Sequence, residues 1–258
     1  MRQFECSERV SECIENDVKF YSRYYFSHFD FEKSLELTNF TFVLKIVTKH
    51  ITIKNEELVL TNQRALYWQR EYALILSDVH IGKTAHFRKH GIPMPDDVLQ
   101  KDLERLKHLI YHFGAKTLLI VGDLFHAERN SDMATFKDWL SQFPKLKLIL
   151  IKGNHDHQSQ LLMDDLNIEV VTNLVSGPFK FLHEPKDNDK EEFVISGHTH
   201  PGVLIRGKGK QKIKLPCYQI TENQLILPAF SLFTGLNTGN NTEEADYYAF
   251  TNTAIFKI

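Results

Sequence analysis

Three runs along the chain are apolar at nearly every position: "YALIL" before Ser77, "TLLIV" before Gly122 and "KLKLILI" before Lys152. Runs of this length without polar alternation fit strands buried on both faces of a parallel sheet. Between them stand "PDDVLQKDLERLKHLIYHFG", with acids in its first turn and Gly114 past its end, and "SDMATFKDWLSQF". Both space their apolar residues at three and four, which predicts amphipathic helices. Strand, helix, strand, helix, strand predicts a parallel sheet covered on both faces.

The pattern differs on either side of this block. Upstream, "FVLKIVTKHITI" and "ELVLT" are rich in β-branched residues and predict two strands, with the turn at "KNEE". Downstream of about Ile168, "EVVT", "FKFLHEP", "FVISGHTH", "VLIR", "KIKLPCYQI" and "QLILPAF" predict short strands of a second, more antiparallel sheet packed on the first. The fold class is therefore α/β with two packed mixed sheets flanked by helices. Residues 1–39, with the aromatic cluster "KFYSRYYFSHFDF", follow neither period and read as an extension of unknown role; residues 40–258 read as the main domain.

Composition removes several classes without changing that picture. The chain of 258 residues is 42% hydrophobic and 25% charged, which is ordinary for a globular protein and excludes fibrous and disordered classes. A net charge of −2 supplies no global field for a polyanion, so a nucleic acid must meet a local basic patch. Cys6, Cys13 and Cys217 are odd in number and lack metal-type spacing, so reduced thiols in the cytoplasm are the expectation. No apolar run approaches the roughly 18 residues of a membrane span, and the first residues lack the core of a signal peptide.

The residues that end the apolar runs carry the chemistry. They read "SDVH", "GDLFH", "GNHD", "LHEP" and "GHTH", each with a potential metal ligand. In open α/β sheets, ligands collect at the carboxyl ends of strands. Imidazole and carboxylate suit Mn, Fe or Zn dications, whereas thiolates would mark a structural zinc site. Strand alternation sends Asp78 and His80 to one side, where both can reach one ion; His198 and His200 share a side in the same way. Asp123 is placed to bridge two ions, and Asn154 adds a neutral oxygen. Two dications against the carboxylates of Asp78 and Asp123 leave surplus positive charge, which attracts phosphate. Paired ions acidify a water and clamp the oxygens of an in-line displacement. His155 is then the candidate proton donor to the leaving oxygen, with Asp156 orienting its ring.

In order, these motifs resemble those of the calcineurin-like metallophosphoesterase family. The stretches "QRALYW", "GKTAHFRKHGIPMP", "GHTHPGV", "GKGKQ", "LPCY" and "LPAFSLFTG" are further similar to the bacterial ligase-associated DNA damage response (PdeM-type) subfamily, from about Ile51 to the C-terminus. The resemblance implies a four-layer αββα fold and two divalent ions, usually Mn²⁺, with Zn²⁺, Fe²⁺ or Mg²⁺ as alternatives. It implies that Asp78, His80 and His200 hold one ion, that Asn154, His183 and His198 hold the other, and that Asp123 bridges. It implies hydrolysis of a phosphodiester in DNA, in a repair setting shared with a DNA ligase and an exonuclease. Two features depart from the pattern: the segment before about Phe42 has no counterpart, and Ser231 stands where the subfamily has glycine.

The cations after "SDVH" extend a positive surface for a longer anion. Lys83, Arg88 and Lys89 are candidates to pair with phosphates, His86 to meet a base or sugar, and His126 to stand near the substrate. A second basic stretch, "RGKGKQKIK", could join the same groove. The alternatives are hydrolysis of a small nucleotide or phosphomonoester at the same centre, or a metal-containing scaffold without catalysis. The completeness of the ligand set argues against the scaffold.

Overall fold

The computed structural model of the chain describes residues 4–5, 44–95, 97–126, 130–156, 160–185, 192–206, 211–239, 242 and 244–258. The expected extension therefore lies outside the described residues, apart from a two-residue strand, β1 (Phe4–Glu5). The central part of the chain runs β2 (Thr48–Ile53), β3 (Glu56–Thr61), β4 (Leu66–Trp68) and β5 (Ala73–Leu76). It continues through α1 (Lys83–Lys89), α2 (Val98–Phe113), β6 (Thr117–Val121), α3 (Ser131–Leu140), β7 (Lys147–Ile151), α4 (Gln160–Asp165) and β8 (Glu169–Val171). Strands β2 to β8 form one sheet in that order, antiparallel from β2 to β5 and parallel from β5 to β8.

The continuous apolar runs have a simple explanation. Successive side chains point to opposite faces, and both faces of this sheet are covered. Leu74, Leu76, Leu118, Ile120, Leu148 and Leu150 enter a core shared with Leu99, Leu103 and Leu106 of α2 and with Met133 and Phe136 of α3. Their neighbours Ala73, Ile75, Leu119, Val121, Ile149 and Ile151 enter a second core with Phe179, Phe181, Ile195 and Tyr218 from the other sheet. Burial of each large aliphatic side chain contributes about 1.5–3 kcal/mol. None of the described helices is long and apolar enough to cross a membrane.

The second sheet comprises β9 (Leu174–Ser176), β10 (Phe179–Phe181), β11 (Phe193–Ser196), β12 (Gly202–Arg206), β13 (Lys212–Ile220), β14 (Gln224–Ile226), β15 (Asp246–Phe250) and β16 (Ile255–Lys257), with β1 parallel on β12. It is mostly antiparallel, with parallel pairs at β10–β11 and β11–β14. The expected architecture of two packed mixed sheets with helices is what forms.

Three local expectations are corrected. "EVVT" belongs to the first sheet, because the chain after β7 makes one more crossover through α4 and pairs parallel with β7. Residues 44–47 form no strand. The hairpin turn uses only Lys54 and Asn55, with φ 50° and 65°, the two-residue geometry that suits the twist of paired strands. Glu56 is consequently the first residue of β3, buried and accepting from the Trp68 indole at 2.9 Å.

One polar cluster lies inside the apolar frame. Arg105 of α2 pairs with Asp102 at 2.9 Å, donates to the Phe230 carbonyl and stacks 4.1 Å above the Phe230 ring. Burial pushes the Asp102 carboxyl up, and Arg105 opposes that shift. Arg105→Met should therefore destabilise the protein by about 3–5 kcal/mol, because it strands a buried carboxylate. Urea unfolding of the variant and the parent checks this.

Candidate metal centre

The centre grows out of the parallel pairing of β5 with β6. Beyond the strands the two chains stay side by side: the Asp78 amide donates to Gly122 at 3.1 Å, His80 to the Asp123 carbonyl at 3.0 Å and Ile81 to Leu124 at 2.8 Å. The strand itself has ended at Leu76, so strand alternation is not what aims Asp78 and His80. Both take left-handed backbone instead, with φ 57° and 54°, as do Asp123 (53°), His198 (66°) and His200 (51°). Such backbone costs a residue with a Cβ roughly 1–2 kcal/mol. Five instances within one site mark a place where geometry is imposed against local preference.

Their side chains gather into two groups, Asp78–His80–His200 and Asp123–His183–His198, the ligand atoms of each within 4.8 Å of one another. His198 and His200 thus enter different groups rather than a common side, because each turns through its own left-handed residue. His200 Nε2 stands 3.2 Å from Asp78 Oδ1. His183 Nε2 stands 3.4 Å from Asp123 Oδ1 and 3.2 Å from His198 Nδ1. The Nδ1 of His183 lies 3.0 Å from the Val121 carbonyl, which fixes the tautomer that turns Nε2 toward the group. Asn154 is exposed, and its amide nitrogen donates to Glu184 at 2.6 Å.

Asp156 does not orient the His155 ring. Its carboxylate is buried and accepts from three backbone amides, Asp123 at 2.9 Å, Phe125 at 3.0 Å and Gly153 at 2.8 Å. It therefore clamps the Asp123 loop to the Gly153 loop, with both oxygens occupied. Glycines let the loops close further. A Cβ on Gly122 would run into the His183 ring, one on Gly153 into Asp123, and one on Gly197 into Ser77 and Asp78. Each motif glycine thus touches a candidate ligand or its neighbour from another loop.

Electrostatics indicate what the centre holds. Burial lowers the His80 pKa to about 3, so its ring is neutral, and neither ring nitrogen has a hydrogen-bond partner. Asp78 Oδ1 is also buried without a donor; the nearby His200 nitrogen is close but not aligned for a bond. Burial favours the protonated form of Asp78, yet His200 and His183 outweigh it and hold the carboxyl below its ordinary range. Burial disfavours charge on His183, but its contact with Asp123 wins and raises its pKa to about 9. Buried polar atoms without a partner are costly. A divalent cation in the first group would satisfy Asp78 Oδ1 and one His80 nitrogen, and the imidazole–carboxylate donor set of both groups fits such ions.

The candidate substrate contacts divide. His155 is half exposed, with Nε2 3.9 Å from Asp123 Oδ2 and its ring 4.9 Å from that of His126. Burial, and then the charge of His155, lower the His126 pKa to about 4. Burial also lowers the Lys83 pKa, against the pull of Asp78 and Asp123, so its ammonium belongs to the centre. Arg88 is committed elsewhere: it lies 3.6 Å from Asp132 and donates to the Pro95 carbonyl. Lys89 is exposed, and His86 stands 5.8 Å from His126 between ring centroids. Of the second basic stretch, Arg206, Lys212 and Lys214 are exposed and residues 207–210 lie outside the described residues.

Sequence reasoning missed Phe233, whose exposed ring packs 6.3 Å from Phe87, and Asp132, which accepts from the Thr84 hydroxyl at 3.0 Å and fastens α1. Phe233 lies within "LPAFSLFTG", a stretch that carries the subfamily resemblance but no ligand-type residue. Ser231, the departure from the subfamily pattern, is buried and accepts from the Phe233 amide at 3.2 Å, so its side chain is accommodated.

A profile described as calcineurin-like phosphoesterase matches residues 73–188, the stretch that holds Asp78 through His183. Among solved structures, that of the Pseudomonas putida nuclease MPE is similar at 30% identity and a TM-score of 0.72, covering 82% of this chain and 100% of that one. The chain belongs to the calcineurin-like phosphoesterase family. It is a hydrolase of phosphoester bonds. The Escherichia coli phosphoesterase YfcE also matches, at 16% identity and a TM-score of 0.39, covering 72% of this chain and 97% of that one. No curated protein matches the chain.

In this calcineurin-like phosphoesterase the glycine contacts make a direct prediction. Gly122→Ala should displace the His183 ring and lower bound divalent metal, whereas Gly235→Ala, with open space at its Cβ, should leave metal content unchanged. Elemental analysis of both purified variants tests this.

Proposed function

We propose that this phosphoesterase cleaves phosphodiester bonds of nucleic acid, specifically DNA, at a centre of two divalent ions. The observation that carries the reading is the pair of donor groups, with the Asp123 carboxylate 3.4 Å from His183 of its own group and the Asp123 carbonyl accepting from the His80 amide of the other at 3.0 Å. Asp78, His80 and His200 would hold one ion; His183, His198 and Asn154 would hold the second; Asp123 would be shared. The mixed oxygen and nitrogen donors suit Mn²⁺. Bound there, such ions supply Lewis acidity toward phosphoryl oxygens and a more acidic water.

The residues of the chain supply the rest. His155, exposed at the edge of the centre, delivers a proton to the leaving oxygen. Lys83 places a cation beside the carboxylates, where a phosphate oxygen would sit. His126 is neutral at physiological pH and therefore offers a hydrogen bond rather than a charge. The exposure of His155 and His198 suits a polymer lying across the surface. That the Pseudomonas putida relative is named a nuclease supports nucleic acid as that polymer. A repair setting beside a DNA ligase and an exonuclease belongs to the same proposal.

His155→Ala should keep its metal while turnover on single-stranded and nicked DNA falls by a factor on the order of 10²; loss of metal in that variant would sink the assigned role. Asp123→Ala should lose both ions and all activity. Metal uptake should also depend on pH with a defined sign. His183 must shed its proton to ligate, so affinity should rise by about tenfold per pH unit from neutrality and level off near its pKa of about 9. Calorimetric titration of metal-free protein with Mn²⁺ measures that slope, and a flat profile would contradict it.

A further inference from the structure

A second set of imidazoles lies outside the centre. His86 sits in α1 and His90 caps its C-terminal end, one helical turn apart. The helical geometry carries through the cap, since the His90 amide donates to the His86 carbonyl at 3.2 Å. The two rings stand 4.3 Å apart between centroids, tilted by 42°. His90 Nδ1 lies 2.9 Å from the His86 carbonyl oxygen, which accepts only if that nitrogen carries the hydrogen. The Nε2 of His90 is then left with its lone pair available, on the same helix face as the His86 ring.

We propose that His86 and His90 chelate a third ion, a borderline transition dication such as Zn²⁺, Ni²⁺ or Cu²⁺, at the entrance to the centre. Two histidines four residues apart on a helix present their nitrogens to one ion, as in helical zinc motifs. The surroundings set the selectivity. Lys83, Arg88 and Lys89 share α1 and disfavour any cation held by charge alone. Mg²⁺ and Mn²⁺, which favour oxygen donors, are therefore poor occupants, whereas imidazole coordination follows the order that peaks at Cu²⁺. Asp132 offsets part of the repulsion, because it pairs with Arg88 at 3.6 Å.

The location gives the site its consequence. The His126 ring stands 5.8 Å from His86 and 5.4 Å from His80, so a short chain of imidazoles leads from this pair to the candidate ligand His80. His126 Nδ1 is buried without a hydrogen-bond partner. An ion on His86 and His90 would restore positive charge at the rim in place of Arg88, which is turned toward Asp132. This inference does not depend on what the centre hydrolyses.

The test is equilibrium dialysis of the full chain against Zn²⁺, with bound metal counted per chain. His90→Ala should bind one ion fewer than the parent, and His86→Gln likewise. Adding Lys89→His to His90→Ala should restore the lost ion, because positions three apart also share a helix face. Dialysis against Mn²⁺ should show no difference between parent and variants. A parental zinc count in both single variants overturns the site. A loss that Lys89→His leaves unrepaired overturns it as well, and so does an equal loss with Mn²⁺, which would trace the ion to the main centre.

Discussion

Asp123 is held from every side, and the rest of the centre is arranged around that fact. Its amide is taken by Asp156, its carbonyl by the His80 amide, and Oδ1 by the His155 amide at 3.0 Å. The missing side chain of Gly153 gives the carboxylate its place, since a Cβ there would collide with Oδ1. A carboxylate fixed by this many directed bonds keeps its place when a cation arrives, and preorganisation of that kind is what makes electrostatic catalysis effective. Burial raises its proton affinity, but His183 and the His155 amide overcome this and keep it charged.

Besides the ligand-bearing turns after β10 and β11, the second sheet supports the centre through a short crossing. After β14 the chain leaves its own sheet, and Ala229 bridges Ser77 just past β5. Phe230 then donates to the Ser77 carbonyl at 2.8 Å and Ser231 to the Asp78 carbonyl at 3.2 Å. Arg64 donates to the carbonyls of Ala229 and Ser231, and Arg105 to that of Phe230. The left-handed turn at Asp78 is thus supported from behind by a segment more than 150 residues away in the chain. Mechanical support of this sort allows a strained residue to persist.

The rim is built on a weaker principle. Helix α1 is two turns long, too short to be stable alone. Asp132 fastens it from α3 through Thr84, the Ala85 amide and Arg88, and Asn130 both caps α3 and donates to the Gly82 carbonyl. The side chains facing the entrance, His86 and Phe87, therefore depend on α3 for their position. Arg88, expected from the sequence to meet phosphate, also ties α1 to Asp132 and to the Pro95 carbonyl.

The periodicity of the chain determined the buried parallel strands β5, β6 and β7 and the helices α2 and α3, but not α1, α4 or β4. The residue types at the strand ends determined that oxygen and nitrogen donors would meet there. Both follow from short-range rules, since alternation and helical spacing are local and the carboxyl ends of parallel strands share one edge. The choice of sheet for "EVVT" was not legible, because a three-residue apolar strand carries no mark of its partner. Strand alternation put His198 and His200 on one side, whereas the motif resemblance divided them between two ions; the division into two groups comes with left-handed backbone that local preference disfavours. The role of Asp156 was likewise hidden, since a carboxylate beside a histidine looks the same whether it grips a ring or three amides. Only the tertiary fold decided these points, because each depends on bonds between loops far apart in the chain.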